Sequence, residues 1–286
     1  MKKLLSLVFI TSLTFGAQAQ DKKFQIGLTM GPTFNWTKIQ TTKIEKNGIG
    51  SGFTIGVGGN YMFNENVGLA FGLQFDLERF RLNYGDPAST ALGNVYYAYT
   101  DTEIAKSKDG IVDAEYTDSL GFRLMTRTFR SKYITIPFFL KFSTSLIGKF
   151  KYYGKFGTRM SILATTRFED EGFDAKFNRT NNTFTDVAGA SIRTQENMTS
   201  LGAKKELTPF RATVAMYAGF EWNFTGNTFM YTEIGFNYGV MKQLYSVSGN
   251  LVDKISGATP PDDSYRKLDI QNNPQHIIEI KVGLLF

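Results

Sequence analysis

The stretch FRATVAMYAGFEWNF, Phe210 to Phe224, divides into two unlike faces when read at every second residue. Phe210, Ala212, Val214, Met216, Ala218, Phe220, Trp222 and Phe224 form one, and Arg211, Thr213, Ala215, Tyr217, Gly219, Glu221 and Asn223 form the other. Successive side chains of a β-strand point to opposite sides, so strict alternation over fifteen residues predicts a strand between two different environments. Eight such runs recur, near 24–37, 50–64, 67–84, 132–145, 150–166, 208–224, 228–244 and 274–286. In the first, Ile26, Leu28, Met30 and Phe34 alternate with Gln25, Gly27, Thr29, Gly31 and Asn35.

The connections alternate as well. Short turns follow the second, fourth and sixth runs: Asn64-Glu65-Asn66, the residues around Ile147-Gly148, and Thr225-Gly226-Asn227. Long polar segments at about 38–49, 85–131, 167–207 and 245–273 follow the first, third, fifth and seventh. Short turns at one end and long loops at the other predict an all-β, eight-stranded, antiparallel up-and-down barrel. A soluble barrel would turn its bulky apolar residues inward. Here the second face carries Gly, Thr, Asn and scattered charge, which suits a lumen just wide enough for side chains. Gly52, Gly56, Gly58, Gly68, Gly72, Gly157, Gly219, Gly235 and Gly239 fall on or beside that crowded side. The Phe, Leu, Ile, Val and Met face is therefore read as lipid-facing, and the barrel as transmembrane.

The N-terminus agrees. Lys2-Lys3, an apolar stretch from Leu4 to Phe15 and Ala17-Gln18-Ala19 follow the order of a secretory signal peptide. Residues 1–19 are expected to be that leader and 20–286 the barrel domain. Leu4 to Phe15 is too short to cross a bilayer as a helix. An exported chain that spans a membrane as a barrel belongs in the outer membrane of a Gram-negative bacterium. Aromatic residues gather near strand ends, as interfacial girdles do. Tyr61, Phe63, Tyr152, Trp222, Phe224, Phe229 and Phe286 lie toward the short turns, and Trp36, Tyr84, Tyr133 and Phe210 toward the long loops.

The inward parity collects charge of both signs. Asp76, Glu78, Glu221, Glu233 and Glu279 meet Lys141, Lys151, Lys155, Arg159, Arg211 and Lys281. An unpaired charge in a narrow lumen is costly and a paired one tolerable, so a structural network of ion pairs plugging the barrel is expected.

Little points to catalysis. The chain has no cysteine, which excludes disulfides, thiolate metal sites and a cysteine nucleophile. His276 is the single histidine, and Asp262, Asp263, Ser264 and Asp269 precede it in the last loop without a catalytic spacing. An outer-membrane hydrolase or acyltransferase near His276 is the enzymatic alternative, and a narrow channel the transport one. Glu169-Asp170-Glu171 lacks calcium-loop spacing, and Gly48-x-Gly50-x-Gly52 lacks the strand-turn-helix setting of a nucleotide site. No catalytic, metal or cofactor residue is assigned. Without Lys2 and Lys3 the formal charge falls from +6 to +4, spread along the chain, which gives no reason to expect nucleic acid. Loops as long as 85–131 often bind something or are partly disordered, and they are also read as hairpins that extend the strands beyond the membrane. Tyr96-Tyr97-Ala98-Tyr99 there is read either as a contact surface or as packing within the loop.

Tyr133-Ile134-Thr135-Ile136-Pro137-Phe138-Phe139-Leu140-Lys141-Phe142 resembles the central strand of PorT-like outer-membrane β-barrels. Glu233-Ile234-Gly235-Phe236-Asn237-Tyr238-Gly239-Val240 is similar to that family's penultimate strand, and Lys281-Val282-Gly283-Leu284-Leu285-Phe286 to its closing one. The resemblance covers about residue 24 to the end. It implies a non-enzymatic, eight-stranded barrel with a structural or binding role, accessory to protein secretion or envelope maintenance. Outer-membrane lipids, the barrel-insertion machinery and envelope or secretion proteins are the expected partners of a monomer. Phe286, a terminal aromatic on an alternating strand, resembles the signal read by the insertion machinery. Pro137 removes one ladder hydrogen bond, so a bulge or local distortion is expected there.

Overall fold

The computed structural model describes residues 23–85, 93–108, 111–112, 120–198, 206–226, 228–255, 265–270 and 273–286. The expected leader, residues 1–19, lies outside them. Eight long strands form a closed ring: β1 Phe24–Thr37, β2 Gly50–Met62, β3 Val67–Asn83, β4 Leu120–Ser143, β5 Phe150–Asn178, β6 Phe210–Thr225, β7 Thr228–Gly239 and β8 Gln275–Leu285. Each pairs antiparallel with its neighbour in sequence, and β8 returns to β1, with Met30 opposite Val282.

Exposure follows the parity of the sequence. On β1, Phe24, Ile26, Leu28, Met30 and Phe34 are exposed, while Thr29, Thr33 and Asn35 between them are buried. On β4 the exposed set is Ile134, Ile136, Phe138, Leu140 and Phe142. The nine residues from Ile134 to Phe142 span roughly 26 Å along the strand at ~3.3 Å per residue, comparable to the apolar band of an outer-membrane barrel. Tyr61, Phe63, Tyr152, Trp222, Phe224 and Phe286 project outward near the short turns, and Phe210 does so at the other end. Three expected girdle residues do not. Tyr84 and Tyr133 are buried in the outer core. Phe229 has the inward parity and packs against Tyr153, Tyr231 and Leu285.

Aromatic rings occupy the space that lumen glycines leave. Tyr217 of β6 stands opposite Gly235 of β7, and Tyr231 opposite Gly283 of β8. A Cβ on Gly235 would collide with the Tyr217 ring. Gly235→Ala is therefore expected to cost about 1–3 kcal/mol through overpacking. The urea midpoint of the refolded barrel measures it against a Gly154→Ala control, where an added Cβ would meet only the Tyr217 carbonyl at 3.8 Å.

Pro137 produces no bulge. The β3–β4 ladder is interrupted opposite it, at Gly72 and Leu73, and resumes between Gln74 and Thr135 in the same register. Loss of one N–H weakens pairing locally without inserting a residue. A register shift does occur farther out on β5, between Leu163 and Thr165. The extra residue there turns Thr166, Phe168 and Asp170 inward and Thr165 and Arg167 outward, the reverse of the alternation below it.

The long connections differ from open loops. The twenty-nine residues of β5 reach roughly 95 Å at ~3.3 Å each, about three times what a membrane crossing needs. The outer halves of β4 and β5 leave the barrel as a paired hairpin. Thr183–Asp186 and Arg193–Met198 join it on the β5 side, and Val95–Thr100, Val247–Lys254 and Tyr265–Asp269 follow in order on the β4 side. Tyr265 links the two flanks: its hydroxyl donates to the Phe184 carbonyl at 3.0 Å and receives the Phe184 N–H at 2.7 Å. The result is a β-rich cap over the outer mouth. Tyr97 and Tyr99 enter a core with Phe80, Leu82, Phe122 and Phe129, while Tyr96 and Ala98 enter a second with Phe184 and Val252. The tyrosine group is packing, not surface.

Candidate functional site

Charged side chains cross the lumen in tiers. Nearest the cap, the guanidinium of Arg211 on β6 grips Glu78 on β3 through two bonds of 2.7 and 2.9 Å. Gln275 on β8 bonds both partners, and the guanidinium lies 4.2 Å over the Tyr133 ring. At mid-height Arg159 on β5 donates to Asp76 at 2.9 Å and to Glu279 on β8. Thr54 and Thr135 complete Asp76 at 2.7 and 2.6 Å, and Lys281 and the Tyr217 hydroxyl complete Glu279 at 2.6 and 2.7 Å.

Toward the short turns Lys155 meets Glu233 at 2.7 Å, Tyr153 adds its hydroxyl to Glu233 at 2.8 Å, and Lys141 meets Glu221. Both lysines lie within 5 Å of the Tyr153 ring centre. Ten of the eleven charges read from the sequence are thus carboxylate–cation partners of one another. Lys151 stands apart at the short-turn mouth. It is half-buried and donates to the Glu65 carbonyl at 2.9 Å, where the solvent reaches it and no carboxylate is needed. A cavity of about 40 Å³ between Thr29, Gln74, Tyr153 and Glu233 has room for one or two waters. Such a lumen offers charges of both signs held against one another by short hydrogen bonds.

The cap holds a polar cluster that sequence reading missed. Arg127 and Asp170 form a bidentate pair at 2.8 and 2.7 Å with both side chains fully buried. Arg127 also lies 4.4 Å over Phe168 and 5.4 Å from the centre of the Tyr97 ring. Glu206, buried beside them, accepts a bond from Ser248, and burial raises its carboxyl above the usual range against the pull of Arg127. The signal was Asp170 within Glu169-Asp170-Glu171. Its neighbours face solvent-side arginines while it faces the core, a distinction set by the β5 bulge and invisible in the acidic run.

His276 opens β8 on its outward parity. It is covered by Trp36, Phe236 and Tyr238, with ring centres 5.9, 6.2 and 4.7 Å away. Its nearest companions are therefore aromatic, in the manner of an interfacial belt. Asp262, Asp263 and Ser264 lie outside the described residues, and Asp269 is exposed. Among the described residues no cluster of three His, Cys, Asp or Glu side chains could hold a metal ion.

A family model described as an outer membrane protein beta-barrel domain matches residues 17–245. No curated protein matches the chain. Among solved structures, Neisserial surface protein A is 11% identical, with a TM-score of 0.35 over 92% of this chain and 96% of its own. The outer membrane protein OprG from Pseudomonas aeruginosa is 11% identical, with a TM-score of 0.36 over 92% and 95%. A major outer membrane protein from Thermus thermophilus is 7% identical, with a TM-score of 0.37 over 92% and 98%.

Proposed function

Since the chain belongs to the outer membrane protein beta-barrel domain family and resides in the bacterial outer membrane, we propose that it is a plugged barrel whose work is done by its external cap. The lumen serves as structural filling, and the cap binds other components of the cell surface. The observation that carries this reading is the distribution of charge: apart from Lys151 at the short-turn mouth, the lumen cations and carboxylates named above pair with one another across the barrel. The PorT-like features of β4, β7 and β8 support a more specific duty, accessory to protein secretion or envelope maintenance. The protein acts as a monomer held by outer-membrane lipids and placed there by the barrel-insertion machinery, with no cofactor.

Planar-bilayer recording tests the plugged state. The refolded protein is expected to give no steady conductance in molar salt, because paired side chains fill an eight-stranded interior. Stable openings would transfer the assignment to a narrow channel. Crosslinking from the cap in intact cells then identifies the envelope component it holds. Capture of nothing but lipid would remove the protein-binding duty.

A further inference from the structure

Three arginines stand in one row on the outer surface of the barrel. Arg79 of β3 is the cross-strand partner of Arg130 of β4, and Arg130 is the partner of Arg167 of β5. Lys132 lies one step below on β4, between Leu77 and Thr165. Directly opposed residues keep their Cβ atoms about 4.5–5.5 Å apart, and like charges placed so repel. Glu169 is shared by Arg79 at 3.3 Å and Arg130 at 2.5 Å. Glu196 lines a small cleft with Arg130 and Arg167 but forms no ion pair among the described residues. Arg167 and Lys132 have no carboxylate partner there either. Even with both acids counted, the row keeps a cationic surplus.

Its depth indicates the counter-anion. Leu77, Ile134 and Ile162, all exposed, are the bulky apolar side chains nearest below the row on the outward face of β3, β4 and β5. The row begins directly above them, at the height of the outer-leaflet headgroups. Arg167 faces outward because the β5 bulge between Leu163 and Thr165 reverses the alternation; unbulged, it would point inward. A guanidinium fork matches phosphate oxygens in pairs, and a cation beside a membrane surface gains from anionic lipid. We propose that Arg79, Arg130, Arg167 and Lys132 form a clamp for the phosphate of an anionic outer-leaflet lipid. Its acyl chains would lie on the apolar strip of β3–β5 beneath.

The test is native mass spectrometry of the full barrel released from phosphatidylcholine nanodiscs with and without a minor fraction of lipid A. The wild type is expected to retain lipid A. Retention should fall at least about tenfold in R130Q/R167Q, and measurably in R167Q alone. Lys149→Gln, at the short-turn end, serves as the charge control and should retain lipid A as the wild type does. R167Q removes a cation that bonds no carboxylate, so its barrel folds as the wild type does, which circular dichroism checks. Equal retention by R130Q/R167Q and wild type would overturn the clamp. Complete displacement of lipid A by millimolar inorganic phosphate would also overturn it, by assigning the row to a free anion.

Discussion

Replacing Arg159 with methionine is expected to destabilise the barrel by about 3–5 kcal/mol, the usual penalty for removing one partner of a buried ion pair. Arg159 is 2% exposed and serves two carboxylates at once, Asp76 and Glu279. The loss is unequal between them. Glu279 keeps Lys281 and the Tyr217 hydroxyl. Asp76 keeps only the Thr54 and Thr135 hydroxyls against its full charge. The second substitution Asp76→Asn on the Arg159→Met background should therefore restore most of the lost stability, whereas Glu279→Gln should restore little. Urea unfolding in lipid vesicles, followed by the fluorescence of Trp36 and Trp222, measures all three. A loss below about 1 kcal/mol for the single variant would mean that water screens the tier, and the plugged reading of the lumen would fall with it.

The membrane half of this molecule is legible because each of its strands separates two different solvents. Lipid on one side and a polar lumen on the other force the period-two pattern, and the short Asn64–Asn66 turn fixes where one strand hands over to the next. The cap lacks that contrast. Val95–Thr100 is buried on both faces, so Val-Tyr-Tyr-Ala-Tyr carries no alternation to read. The outer half of β5 does alternate, but the shift between Leu163 and Thr165 reverses its phase, so a single-phase reading ends the run near residue 166. Tyr84 and Tyr133 read as girdle residues for a related reason. Their strands continue into a second core, where an aromatic at the membrane edge is an interior residue. The lumen charges can be grouped by parity, but which carboxylate faces which cation depends on strand stagger, which no local pattern encodes.

Asp170→Ala is expected to loosen the cap while leaving the barrel intact. Asp170 holds Arg127 with two bonds, neither side chain has any exposed area, and the guanidinium sits against Phe168 and Tyr97. Removing the carboxylate leaves a buried cation in an aromatic setting, at a cost of about 3–5 kcal/mol. Glu206 limits that cost. Its carboxyl is held up by burial, and the charge of Asp170 adds to the rise while Arg127 opposes it. With Asp170 gone, Glu206 ionises more readily and becomes the remaining counter-charge, so D170A/E206Q should lose more than the two single changes together. The barrel gains its stability from the membrane-spanning ladders and the lumen tiers; Arg127 lies farther out on β4, between Leu82 of β3 and Asp170 of β5, and its side chain joins none of those tiers. Limited proteolysis of the folded protein should accordingly show rapid cleavage within the cap of the single variant and faster cleavage in the double. The heat-modifiable barrel band should persist in both. An unchanged digestion pattern in D170A/E206Q would show that the pair contributes nothing to cap cohesion. Loss of the folded barrel band together with the cap would show instead that the two unfold as one unit, and that the long strands β4 and β5 carry the coupling between them.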